Sequence, residues 1–287
     1  MATHPHRATE VLGHRENHNA LCLCDSVACL TRALAGSART GWDRWIRQPQ
    51  TLWFRRAVLQ VHLWTGIGLG LYVLVISVTG SVLVFRDELN LISAPQPQQG
   101  RPTAADIPLT VWLLDLHDNL LSGPTGRRTN AIGALLTIIV AVSGAVVWWP
   151  GIRNWRRSLT FDARAPWKSL NWRLHSALGF WCLTFVLMWG VSGFHLALPG
   201  PLSAAAGWLE TLDESNPARN MGDKILYWLT YAHFGRFAGR LPGCGVVCGT
   251  TLKVVWALLG LVPVFLLATG FVMWWNRATS QDGANYS

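Results

Sequence analysis

Read as apolar and polar positions, the chain carries four long apolar runs, near residues 57–85, 131–149, 174–198 and 254–275. Each is long enough to cross a bilayer core of roughly 30 Å at about 1.5 Å per helical residue. In the first run only Gln60 and His62 are strongly polar. Two stretches between runs read instead as amphipathic helices. Leu109, Trp112, Leu113, Leu116 and Leu120 form one apolar stripe, and Ile225, Leu226, Trp228, Leu229 and Ala232 form the other. Asp106 with Pro108 marks the start of the former and Gly123-Pro124 its end, while the glycines and prolines of residues 239–245 end the latter. Pro263 removes a backbone donor and predicts a kink in the fourth run.

The pattern is written twice. His62 is followed by Gly66 and Gly80 at intervals of 4 and 18 residues, and His175 by Gly179 and Gly193 at the same intervals. Trp112-Leu113 leads to His117 and Gly123 as Trp228-Leu229 leads to His233 and Gly239. Gly144 precedes Trp148-Trp149 as Gly270 precedes Trp274-Trp275. Self-similarity at fixed spacing makes the repeat the unit of the fold. The expectation is an all-α integral membrane protein: four transmembrane helices in two tandem repeats, residues 55–150 and 168–277, each repeat with a short outer amphipathic helix.

Composition agrees with that class, with 51% hydrophobic residues, 14% charged and 17 tryptophans in 287 residues. The net charge of +9 does not indicate nucleic acid, because the basic residues flank the apolar runs. Arg44, Arg47, Arg55 and Arg56 precede the first run. Arg153, Arg156, Arg157, Arg164, Lys168 and Arg173 stand between the second and third against a single acid, Asp162, whereas the other two connections are balanced. Both termini are therefore expected on the cytosolic side. Residues 1–54 read as a poorly ordered cytosolic tail, and 278–287 as a second tail. His4, His6, His14, His18, Cys22, Cys24 and Cys29 lie in the first without a standard zinc spacing, so no site is assigned there. Residues 95–102 read as an extended linker. The spacing of Cys244 and Cys248, in a flexible stretch, favours free thiols over a bond.

Ionisable side chains in or beside membrane spans are functional candidates. The orientation puts His62 and His175 at the cytosolic ends of spans one and three, and His117 and His233 on the outer helices, one pair per face. Haem iron takes two axial ligands, and a flat macrocycle fits between helices where glycines such as Gly66, Gly68, Gly70, Gly80, Gly179 and Gly193 leave room. Bare zinc or copper would need more than two close ligands. Two molecules of haem b are expected, one per face. Arg56 and Arg173 stand near the inner pair, and Arg127, Arg128, Arg236 and Arg240 near the outer pair, as cations for the propionates. His195, two residues after Gly193, is an alternative outer ligand.

These residues resemble the PepSY-associated transmembrane family, bacterial inner-membrane proteins that include haem-containing ferric-siderophore reductases. The likeness covers about residues 55–277. It rests on Val61-His62 with Gly66, Thr79-Gly80 with Arg86-Asp87-Glu88-Leu89, Leu116-His117, Ser143-Gly144 with Trp148-Trp149-Pro150, Leu174-His175 with Gly179, and His233 with Gly239, Thr269-Gly270 and Trp274-Trp275. The first outer connection is too short for the PepSY domain that larger members carry. The resemblance implies an inner-membrane oxidoreductase with periplasmic outer helices. It would take electrons from a cytosolic or quinol donor and reduce a ferric siderophore or other ferric chelate. A haem-free scaffold that anchors a partner protein is the alternative reading. Lipid is the surrounding partner in either case.

Overall fold

The structure, a computed structural model, describes residues 45–93, 108–150, 154–160, 164, 166–208, 221–235 and 243–285. The histidine- and cysteine-bearing start of the chain, the 95–102 linker, Asp106, Arg153, Arg236, Arg240 and Gly239 lie outside the described residues. The chain forms two compact units, residues 1–52 and 53–287. In the first, Pro49–Thr51 make a single 3-10 turn. The second is built, among the described residues, of helices without strands. In chain order they are α1 (Trp53–Gly68), α2 (Gly70–Leu83), α3 (Arg86–Ser93), α4 (Leu109–Asn119), α5 (Gly123–Trp148), α6 (Trp155–Ser158), α7 (Trp167–Ala197), α8 (Pro199–Trp208), α9 (Met221–His233), α10 (Val246–Gly260) and α11 (Val262–Asn285).

Three helical stretches are long and apolar enough to cross a membrane: α5, α7, and α10 continued by α11 over Val246–Thr279. The pair α1 and α2 makes a fourth if counted as one span, although it bends by 62°. The apolar pattern predicts a single straight helix here, and the difference has a local cause. Leu69 stands between Gly68 and Gly70, two residues of poor helix propensity whose missing side chains leave the turn unrestrained. The bend keeps the Leu69 side chain buried, 7% exposed, and lays Gly70 against Leu267 of α11. The fourth run is interrupted at Leu261, two residues before Pro263, as expected of a residue that cannot donate to the carbonyl four positions back.

α5 packs along α7 and against α1, and α11 packs along α7 and α2. The buried apolar residues are mostly small: Ala131, Ala134, Ala141, Ala177, Cys182 and Ala197. Large ones such as Trp64, Leu71, Leu258 and Phe265 face outward. That inversion of the water-soluble pattern belongs to a protein whose solvent is lipid, where close backbone approach rather than apolar burial holds helices together. Cys244 and Cys248 are bonded, contrary to the expectation of free thiols. They flank the start of α10, where one turn of chain brings their Cα atoms to 5.3 Å, inside the range a disulfide spans.

Candidate functional site

The four repeated histidines meet two by two. His62 on α1 and His175 on α7 have ring centres 6.4 Å apart, and His117 at the end of α4 and His233 at the end of α9 have centres 6.2 Å apart. His175 and Gly193, which faces His233, are separated by 18 residues of uninterrupted α7, about 27 Å of helix, so the pairs occupy opposite ends of the bundle.

Each imidazole is held by a Ser-Gly or Thr-Gly dipeptide on a neighbouring helix. Nδ1 of His62 lies 3.1 Å from Ser143 Oγ and 3.0 Å from the Val140 carbonyl. Nδ1 of His175 lies 2.9 Å from Thr269 Oγ1, that of His117 3.0 Å from Thr79 Oγ1, and that of His233 2.7 Å from Ser192 Oγ. The glycine that follows each hydroxyl gives the ring its floor. A Cβ added at Gly80 would come within 2.9 Å of His117 Cε1, at Gly144 within 3.0 Å of His62 Cε1, and at Gly270 within 3.4 Å of His175 Cε1. At Gly193 it would stay 3.9 Å from His233 Cε1.

The hydroxyls also determine the tautomer. Each donates its one hydrogen to its own helix: Thr79 to the Val75 carbonyl at 2.7 Å, Ser192 to Met188 at 2.6 Å, Thr269 to Phe265 at 2.7 Å and Ser143 to Val140 at 3.0 Å. The hydroxyl oxygen can then only accept from the ring. The hydrogen-bond network therefore assigns the proton to Nδ1 in all four histidines and leaves a lone pair on each Nε2. In the outer pair, burial holds His117 below the ordinary histidine range. Burial together with the adjacent His117 pushes His233 down to about 3, so both rings are neutral.

Two neutral imidazoles with bare Nε2 atoms and anchored Nδ1–H groups form the ligand set a six-coordinate haem iron takes. An imidazole nitrogen lies about 2.0–2.1 Å from a first-row metal and about 1.2 Å from its own ring centre, so rings sharing one iron have centres roughly 6.5 Å apart. Both observed separations fit. Gly66 and Gly179, each one turn beyond an inner histidine on the same helix face, leave space alongside: a Cβ would meet nothing within 4 Å at the first and only Leu266 at 3.9 Å at the second. Among the described residues no group of three or more His, Cys, Asp and Glu side chains comes together as a bare metal site.

Other residues brace the histidines. Asn130 Nδ2 donates to the His117 and Asp118 carbonyls at 2.8 and 2.9 Å, and the Tyr72 hydroxyl donates to Asn130 Oδ1 at 2.7 Å. Leu120 and Leu121, both at positive φ, make the tight reversal that returns the chain from α4 into α5. At the inner end, buried Asn171, one turn before His175, donates to the Thr269 carbonyl at 2.9 Å and ties α7 to the turn of α11 that holds the histidine. Apart from Leu120, which the apolar stripe includes, sequence reasoning passes over these. Recurrence of Ser/Thr-Gly at four places was the available signal.

The expected cations are distributed differently. Arg56 is exposed, and it is Arg55 that turns inward and donates from Nη2 to the Val147 carbonyl at 2.5 Å. Arg173 is half-buried on α7. Arg127 is paired with Asp118 at 2.9 Å and Arg128 is exposed, while Arg236 lies outside the described residues. His195 stands in the last turn of α7, with Nδ1 buried and without a partner among the described residues.

The fold and these sites define a multi-pass helical membrane protein with a pair of opposed histidines at each end. Residues 59–111, 96–218 and 210–277 match the PepSY-associated TM region, and the chain belongs to that family. No curated protein and no solved structure matches it.

Proposed function

We propose that the protein is a di-haem electron-transfer protein of the bacterial inner membrane that carries electrons from a cytosolic or quinol donor to a ferric siderophore or other ferric chelate in the periplasm. The observation that carries this reading is the four-fold recurrence of one constellation: a histidine whose Nδ1 lies at hydrogen-bond distance from a Ser or Thr hydroxyl, with a second such ring opposite it. His62 with His175 would hold one haem b at the cytosolic end, and His117 with His233 a second at the periplasmic end. Haem bound in this way supplies one-electron chemistry at both faces. The duplicated spacing reads as two tandem repeats with periplasmic helices α4 and α9, and the Lys and Arg bias puts both termini in the cytosol.

The chain's own contribution is ligation, orientation and insulation. The hydroxyls fix which ring nitrogen carries the proton, the glycines fix where each ring stands, and the small-residue core of α5 and α7 separates the two ends. At the acceptor face, ferric iron held by hard oxygen donors is released once reduced, since those donors favour the ferric ion.

The test is vectorial. Protein reconstituted into sealed vesicles with an internal reductant, and a ferric chelate plus a ferrous indicator outside, should produce external ferrous iron. His62→Ala/His175→Ala and His117→Ala/His233→Ala should each abolish it. Undiminished reduction in either double variant would refute the proposed path.

A further inference from the structure

α10 and α11 together run for 34 residues, Val246–Thr279, about 51 Å of helix against a hydrocarbon core of roughly 30 Å. The excess lies at the start of α10. Gly270 stands against His175 at the inner end, and Trp274-Trp275, one turn further on, are the residue type that marks a membrane interface. Counting back about 20 residues from there, the depth of the core, reaches Val255. Lys253, its 2.7 Å ion pair with Glu88 of α3, and the Cys244–Cys248 bond therefore lie beyond the hydrocarbon.

This bond is a poor staple. It joins residues only 4 apart, the least favourable case for stabilising a fold by restricting the unfolded chain. α10 is held without it: Lys253 ties it to α3, and the Trp256 ring packs on Phe185 and Trp189 of α7, with centres 5.9 and 5.6 Å apart. The two valines inside the loop, Val246 and Val247, are 87% and 81% exposed, and both cysteines are half-buried rather than covered. Cys248 is the third residue of α10, behind a Gly245 N-cap that makes no side-chain cap bond. It thus lies in the turn whose backbone N–H groups have no partner within the helix and stabilise an anionic sulfur.

We propose that Cys244 and Cys248 form a reversible dithiol–disulfide couple that exchanges with a protein dithiol of the thioredoxin type, which docks on Val246 and Val247. The partner's thiolate attacks Sγ of Cys244. The S–S bond of the chain breaks, and Cys248 departs as the thiolate, the better leaving group because the helix start stabilises it. The partner's second thiol then attacks the partner's own sulfur in the mixed disulfide and releases Cys244. The partner ends as its disulfide, the chain gains two electrons, and the two protons of the partner's thiols end on Sγ of Cys244 and Cys248. Two adjacent valines standing clear of the hydrocarbon give the partner an apolar landing beside the sulfur it attacks. None of the four paired histidines takes part, so the couple is independent of the haem reading.

The experiment uses full-length protein in detergent, with thioredoxin as the probe dithiol and free Cys244 and Cys248 counted by alkylation and peptide mass. With equal amounts of reduced and oxidised thioredoxin, more than about half of the chains should carry both thiols free, whereas a structural bond would be reduced in under about a tenth. A thioredoxin that lacks its second cysteine should be trapped on Cys244 rather than Cys248 by about tenfold or more. Val246→Ser/Val247→Ser should slow reduction by thioredoxin about tenfold and leave reduction by dithiothreitol within about twofold, since only the protein needs the landing. A bond that stays oxidised in more than about nine-tenths of the chains, a trapped adduct shared equally between the two sulfurs, or valine substitutions that change both reductants alike would overturn the exchange site.

Discussion

At the scale of single residues, the protein solves one problem four times. A histidine inside a membrane protein must be held in one tautomer and in one orientation, and a hydroxyl that has already given its hydrogen to its own helix does both through a single accepted bond. Thr79→Ala should therefore lower haem affinity at the outer site about ten- to a hundredfold while Thr79→Ser retains it, as measured by haem titration of the purified variants. The glycines are not equivalent. Gly80→Ala places a methyl where the His117 ring stands and should displace it at a cost of about 1–3 kcal/mol, with loss of outer-site haem. Gly193→Ala, with 3.9 Å of clearance from His233, should leave the spectrum unchanged. Equal effects from the two substitutions would show that the glycines serve general packing rather than the rings.

At the scale of elements, the histidines are carried by helices of very different kinds, and this decides what could be read in advance. His62 and His175 sit on apolar runs whose length announces them, and their partners follow from equal spacing in the two halves. Which helix faces which is not written in spacing. That Ser143-Gly144 lies under His62 and Thr79-Gly80 under His117 depends on α1 bending at Leu69 and on α4 folding back along α5, both long-range packing outcomes. Flanking glycines were the only hint of the bend. That Arg55 rather than Arg56 turns inward was open to inspection, since seven residues before His62 return to the same helix face and six do not. α4 is positioned by a chain of contacts from α2 and α5: Tyr72 to Asn130, and Asn130 to the His117 and Asp118 carbonyls. Gly133 makes room for the Tyr72 ring, which a Cβ there would strike. Gly133→Ala should cost about 1–3 kcal/mol in thermal unfolding and reduce haem at the outer site only. Loss at the inner site as well would mean that α5 transmits the damage along its whole length.

At the scale of the whole molecule, two histidine pairs stand about 27 Å apart along α7 in a bundle whose buried apolar residues are mostly small. The membership in the PepSY-associated TM region family agrees with the reading from apolar runs, and so does the count of spans, three with a fourth where the bent pair α1 and α2 is taken as one. What the chain's pattern could not supply is how the halves interlock, with α7 running beside α5 and α11 while its own histidine pairs back to α1. The central claim is that each such pair binds one haem, and a reduced-minus-oxidised absorption spectrum with quantified haem tests it most directly. The account predicts two b-type haems per chain, one remaining in His62→Ala/His175→Ala and the other in His117→Ala/His233→Ala. A colourless protein, or a haem content unchanged by either pair of substitutions, would contradict it.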